Sequence, residues 1–174
     1  FLTSSSDAGT YLERVKSQGD QYGGFILIAG TIEALYWLSN NGPGVEKIAP
    51  GVHGLSNHLL NTPWPKIRRS KQAVEALLGA GEGELTAGLF ELLADRNEAS
   101  DHELPDTGVG LQRERELSAV FIRGERYGTR ASTVILVDRN GGARFIERSF
   151  SAGGAPLGEL SRRFQLDAVE PLTK

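Results

Sequence analysis

The chain has 174 residues, a net charge of −3, 39% hydrophobic residues and 24% charged ones, which is length and composition for one domain with a sizeable core and a poor match to a nucleic-acid surface. No apolar run approaches the ~18 residues of a membrane span, and the absence of cysteine removes disulfides and thiolate metal sites from these residues. No secretory signal is visible at the start, so the cytoplasm is the expected location.

Asp7 is placed to cap a short helix with Tyr11, Leu12 and Val15 as its apolar stripe and Gly19 as its stop. Residues 25–29 are almost wholly apolar. Residues 33–39 alternate, with Leu35 and Trp37 on one face and Tyr36 and Leu38 on the other, and the turn near Gly30-Thr31 predicts a hairpin. Asn40-Asn41-Gly42-Pro43-Gly44 is a turn cluster. Residues 45–49 and 52–56 read as two short strands separated by Pro50-Gly51. Thr62 is expected to cap a helix whose first turn tolerates Pro63 and Pro65, because those positions lack intrahelical amide bonds in any case. Ile67, Val74, Leu77 and Leu78 would form its inner face. Residues 79–83 break that helix, and Leu85, Leu89, Phe90, Leu92 and Leu93 mark another. A polar connection over 95–116 follows, then strands over 118–122, 132–137 and 143–147. Asp138-Arg139-Asn140-Gly141 joins the last two, with Asn140-Gly141 suited to positive φ. Residues 161–166 read as a final edge strand. The order of strands, two helices and strands predicts an α+β fold with antiparallel hairpins, in a single domain over 1–174.

Chemistry-bearing residues gather in two runs. His53-Gly54-Leu55-Ser56-Asn57, followed by Asn61-Thr62-Pro63-Trp64-Pro65-Lys66, reads as a strand that ends on an amide side chain before a capped helix. Tyr127-Gly128-Thr129-Arg130-Ala131-Ser132-Thr133 leads into Val134-Ile135-Leu136-Val137, which sets Arg130 and several hydroxyls at the mouth of a core strand. From the residues alone, the plainer role for Asn57 is to satisfy loop backbone groups. The plainer role for Arg130 is a surface pair with Glu125 or Asp138, although Thr129, Ser132 and Thr133 favour a polar pocket wall. His53 and His58 flank Asn57, but their spacing is not a helical ligand pair and no third ligand is evident, so no metal site is expected. His102 is expected to be exposed and Asp106 to serve a turn. Trp37 and Trp64 read as core or rim aromatics, and Lys66, Arg68, Arg69 and Lys71 as a solvated basic turn of helix. No glycine pattern fits a nucleotide site.

With Tyr22-Gly23-Gly24-Phe25, Ile48-Ala49-Pro50-Gly51, Leu104-Pro105-Asp106-Thr107-Gly108-Val109-Gly110 and Glu147-Arg148-Ser149-Phe150, these two runs resemble the NRDE proteins, also called the transport and Golgi organisation family, from about residue 11 to residue 164. The resemblance implies an N-terminal nucleophile hydrolase-like αββα sandwich of two stacked antiparallel sheets between helical layers. It also implies that the sandwich is incomplete here, as the C-terminal portion of an NRDE domain. Members carry a substantial N-terminal part with a cysteine after the initiator methionine and an Asn-Arg-Asp-Glu motif. Neither occurs in this sequence, and Asp95-Arg96-Asn97-Glu98 has similar letters in another order. The lack of methionine agrees with a processed or truncated chain, and missing strands would leave sheet edges unpaired and solubility poor.

In the bile-salt hydrolase and penicillin acylase branch of that fold, a similar strand ends in Thr-Asn, whose amide N–H supports the oxyanion. Ser56-Asn57 matches that position, although the turn after it differs. An arginine near the position of Arg130 lies beside the nucleophile there. The implied activity is hydrolysis of a small-molecule amide C–N bond by an N-terminal cysteine, with no cofactor. The alternative implied by the family is haem binding and trafficking, linked in animals to Golgi organisation and secretion, with His53, His58 or Tyr127 as the contacts to haem. A third is a non-catalytic interaction scaffold.

Overall fold

The computed structural model describes residues 6–166, which divide between two units, one ending at Gly51 and the other beginning at Val52. Helices and antiparallel sheets together make the α+β fold that the sequence predicts.

In the first unit, helix α1 (Ala8–Lys16) begins as expected at Asp7, whose carboxylate accepts the Thr10 N–H at 3.0 Å and the Thr10 hydroxyl at 2.6 Å. The helix closes at Lys16, ahead of Gly19, and Gly19 instead opens a 3-10 turn over Gly19–Gln21. Strands β1 (Ile26–Gly30), β2 (Leu35–Ser39) and β3 (Val45–Ile48) form an antiparallel meander in that order. The β1–β2 turn is closed by reciprocal bonds between Thr31 and Ala34. α1 packs on the meander and buries Leu12 completely. Trp37 and Leu38 are both buried, so the central strand is covered on both faces. Trp37 donates its ring N–H to Glu46, its register partner on β3, at 3.2 Å.

In the second unit, residues 52–64 contain no strand, which corrects the expected strand over 52–56. Their backbone bonds close a loop: Asn61 N–H donates to the Gly54 carbonyl at 2.7 Å, and the Asn61 side-chain oxygen accepts the Gly54 N–H at 3.0 Å. A segment bonded to itself in this way has no ladder to offer a neighbour. Helices α2 (Pro65–Leu77) and α3 (Glu82–Leu93) follow and touch where Gly88 meets Leu77; a Cβ on Gly88 would lie 2.5 Å from a Leu77 methyl. Pro65 takes the first helical position as expected, but Thr62 is not the cap: Trp64 holds that place without a side-chain bond. Leu78 is exposed just past the helix end rather than on its inner face.

The connection over 95–116 is ordered, in keeping with a composition too structured for a linker. It holds a 3-10 turn at Asp101–Glu103 and helix α4 (Leu111–Leu117). The expected strand over 118–122 is instead a buried bend. The Ser118 hydroxyl donates to the Arg115 carbonyl and accepts the Ala99 N–H, and Phe121 N–H reaches the Asp95 carbonyl. The Phe121 N–H, and the Ile122 N–H and carbonyl that bond to Thr129, are thereby taken from any strand ladder.

Strands β4 (Ala131–Val137), β5 (Gly142–Phe150) and β6 (Pro156–Gln165) make the second antiparallel sheet. The β4–β5 turn is as predicted, with Asp138 accepting the Asn140 and Gly142 N–H groups and Gly141 at φ 81°. β6 is an edge strand, as expected, but starts earlier and spans ten residues. The inner sheet face sets Val134, Ile146 and Leu136 against Leu89, Phe90 and Leu93 of α3. Burying a side chain such as Phe90 contributes about 1.5–3 kcal/mol. The outer face leaves Ile135, Val137, Leu160 and Phe164 exposed. No helix among the described residues is long and apolar enough to cross a membrane.

Candidate functional site

The self-closed loop presents its tip beside the start of α2. Asn61 sits at φ 61°, a left-handed conformation that asparagine tolerates better than most side chains. Besides Gly54, its side-chain oxygen accepts Lys71 Nζ at 3.3 Å, which assigns the side-chain nitrogen as the donor to His53 Nδ1 at 2.9 Å. Nδ1 of His53 is then the acceptor, and the neutral ring carries its proton on Nε2. His58 is held the opposite way. The Thr62 hydroxyl donates its one proton to the Leu59 carbonyl at 2.8 Å, so the 2.7 Å contact between His58 Nδ1 and Thr62 Oγ1 has the ring N–H donating. Among the described residues no hydrogen bond engages the Nε2 lone pair of neutral His58. The His58 ring also lies against Trp64, with centroids 5.6 Å apart.

Next to this loop is a pocket of about 190 Å³, lined by Asn57, Trp64, Lys66, Glu114 and Tyr127 together with apolar side chains such as Val109 and Ile122. The structure thus brings Asn57 and Tyr127, from the two separate runs, to one cavity. Asn57 is exposed, and no hydrogen bond engages its carboxamide among the described residues. Tyr127 is exposed at the rim with the Arg113 guanidinium 4.9 Å from its ring centre. His53 and His58 are exposed and belong to the loop rather than to the pocket lining.

Lys66 and Glu114 correct the expectation of a solvated basic turn. Glu114, buried on α4, accepts both the N–H and the hydroxyl of Thr107 on its Oε1, at 2.7 and 2.6 Å. Lys66 donates to the Leu117 carbonyl at 2.8 Å, and its ammonium lies 5.9 Å from the centre of the Trp64 ring. Burial holds the Lys66 pKa below its ordinary value, against an opposing pull from the Glu114 charge. The sequence signal available for Glu114 was its place three residues before Leu117, on the side where a short helix turns inward.

Arg130 does not join this pocket. Its guanidinium donates to the backbone carbonyls of Ser151, Gly124 and Glu125 at 3.2–3.5 Å, which ties together the loop carrying Tyr127. Neither of the expected surface partners, the carboxylates of Glu125 and Asp138, takes it. Thr129, Ser132 and Thr133 do not form one wall either: Thr129 accepts the Ile122 N–H, Ser132 is buried, and Thr133 donates to Glu147. Successive strand residues point to opposite faces, so a run of hydroxyls is divided by the pleat. Ser132 lines a different cavity of about 460 Å³, where the Arg148 guanidinium lies 3.9 Å from the Phe90 ring centre. Among the described residues no group of three or more His, Asp or Glu is arranged to hold a metal ion.

The family model for Transport and Golgi organisation 2 matches residues 1–152. The chain is 39% identical over 166 residues to a Transport and Golgi organization protein 2 homolog of Bos taurus, covering 86% of this chain and 59% of that protein. It is 37% identical over 166 residues to the Homo sapiens homolog, with the same coverage. It is 36% identical over 135 residues to Transport and Golgi organization protein 2 of Drosophila melanogaster, covering 72% of this chain and 46% of that protein. The chain therefore spans 59% of the length of the two mammalian relatives and 46% of the Drosophila one.

Proposed function

The chain belongs to the Transport and Golgi organisation 2 family, and from that premise we propose that it supplies one wall of an amide-hydrolysing pocket in a domain of the N-terminal nucleophile hydrolase type. The whole domain, its αββα layering, its cytoplasmic setting and any role in transport or Golgi organisation belong to this proposal. Asn57 donates its side-chain N–H to the carbonyl oxygen of the amide as that oxygen gains charge. The nucleophile, an N-terminal cysteine thiol outside this sequence, adds to the carbonyl carbon; its own α-amino group takes the thiol proton and passes it to the amine that leaves as the C–N bond breaks, and water then cleaves the thioester. One donor of this kind contributes about 3 kcal/mol of transition-state stabilisation.

One observation carries the reading: Asn57 lines a pocket with its carboxamide unengaged among the described residues, whereas its loop neighbours His58, Asn61 and Thr62 are all committed to hydrogen bonds. Arg130 acts as a positioning residue, through the carbonyls it holds. The test is amine release from a broad amide panel by the complete protein. Asn57→Ala is expected to lower kcat by about 10²–10³ with little change in KM. No amine release from the complete protein, or an unchanged rate in the variant, overturns the proposal.

A second reading, haem handling, draws on His58, whose Nε2 makes no hydrogen bond among the described residues. A pocket of about 190 Å³ is smaller than the roughly 300–1,000 Å³ of sites that enclose drug-sized ligands, so haem would rest on the surface near His58 and Tyr127. A Soret shift on haem titration that disappears in His58→Ala supports this reading, and an unchanged spectrum in the parent protein removes it.

A further inference from the structure

The pocket beside Asn57 holds two opposite charges that are anchored separately. Lys66 Nζ is fixed by the Leu117 carbonyl, and Glu114 Oε1 by two bonds from Thr107. Among the described residues no ion pair joins Lys66 to Glu114, although the two are close enough to influence one another. Glu114 Oε2 makes no hydrogen bond among the described residues and belongs to a side chain that lines the cavity. A positive and a negative group held apart by backbone and hydroxyl contacts form a preorganised dipole, and a ligand that meets both needs no rearrangement of either. The volume of about 190 Å³ suits one medium-sized amino acid, and Trp64, Val109 and Ile122 supply apolar surface for a side chain.

We infer that this pocket binds a small zwitterion of the α-amino-acid class, with its carboxylate on Lys66 and its ammonium on Glu114. The inference rests on the pocket proposed above and specifies its ligand. A ligand with a single charge would meet one of the two groups and leave the other desolvated without a counter-charge.

The test uses the complete protein and three ligands of matched carbon skeleton: leucine, 4-methylpentanoate, which lacks the amine, and 3-methylbutylamine, which lacks the carboxylate. Binding is read by Trp64 fluorescence in a Trp37→Phe background and confirmed by calorimetry. Leucine is expected to bind about tenfold tighter than either analogue, the ratio given by one desolvated charge contact of about 1.4 kcal/mol. Lys66→Met should erase the preference over 3-methylbutylamine, and Glu114→Gln the preference over 4-methylpentanoate. Lys66→Arg should retain leucine binding, which separates loss of charge from failure to fold. Equal affinities for the three ligands, or no leucine binding at millimolar concentration, overturns the inference. Asn57→Ala keeps the two proposals apart: it should lower amide turnover by about 10²–10³ and leave the leucine preference intact. If no amide is ever cleaved but the preference holds, only the hydrolytic reading falls. If turnover depends on Asn57 and the preference is absent, only the zwitterion site falls.

Discussion

Replacing Asn61 separates two contributions to the loop that carries Asn57. Its side chain makes three bonds: to Gly54 N–H at 3.0 Å, to Lys71 Nζ at 3.3 Å and to His53 Nδ1 at 2.9 Å. Its backbone sits at φ 61°. The Gly54 bond is half-buried, while the histidine contact is exposed and weighs less, so losing all three costs about 1–2 kcal/mol. A side chain without asparagine's local hydrogen bonding adds a further ~1 kcal/mol in the left-handed region. Asn61→Gly, which keeps the conformation and loses only the bonds, is expected to destabilise by about 1–2 kcal/mol, and Asn61→Ala by about 2–3 kcal/mol. Urea unfolding followed by Trp64 emission in a Trp37→Phe background gives both values. Equal losses from the two variants would refute the conformational part. A loss below about 0.5 kcal/mol for Asn61→Gly, the range of neutral surface changes, would refute the bonding part.

Phe90→Ala should cost about 3–5 kcal/mol, because it empties the centre of the α3–sheet core and removes the ring beneath Arg148; a thermal melt checks this. Lys66 has a folded pKa below its unfolded value near 10.5. The unfolded chain therefore holds more protons between the two values, and stability contributed by this group rises with pH as the alkaline range is approached. Lys66→Met should remove that rise, which urea midpoints at neutral and alkaline pH measure. Thr62→Val removes the acceptor of the His58 Nδ1–H bond, so nitrogen NMR should show the His58 proton moving toward Nε2; an unchanged tautomer refutes the assignment.

The elements that were legible in the sequence carry their own periodicity or turn chemistry. The Asp7 cap, the apolar run of β1, the Asp138–Gly141 turn and the α3 stripe are set by residues close together in the chain, and the structure reproduces them. The strands expected over 52–56 and 118–122 failed for one reason. Their apolar composition is ordinary, but their backbone groups are claimed by loop partners, Gly54 by Asn61 within its own loop and Phe121 by the more distant Asp95. The site divides in the same way. Asn57 drew attention as an amide side chain ahead of a capped helix and Tyr127 as a candidate contact to haem, and the structure sets both on one pocket. Lys66 was hidden among basic neighbours on one turn of helix, and Glu114 within a charged stretch; only the packing of α4 beside the start of α2 distinguishes them from solvated residues.

The reciprocal bonds between Gly54 and Asn61 span the residues that bear Asn57 and His58. They act as a non-covalent ring closure, and the configurational freedom of the intervening residues is lost when the chain folds rather than when a ligand arrives. Fixing one residue's backbone costs about 1–2 kcal/mol, so a tip already fixed presents its amide to a guest at little further entropic cost. Affinity for small ligands should then follow the integrity of this ring as closely as the identity of the side chains that touch them.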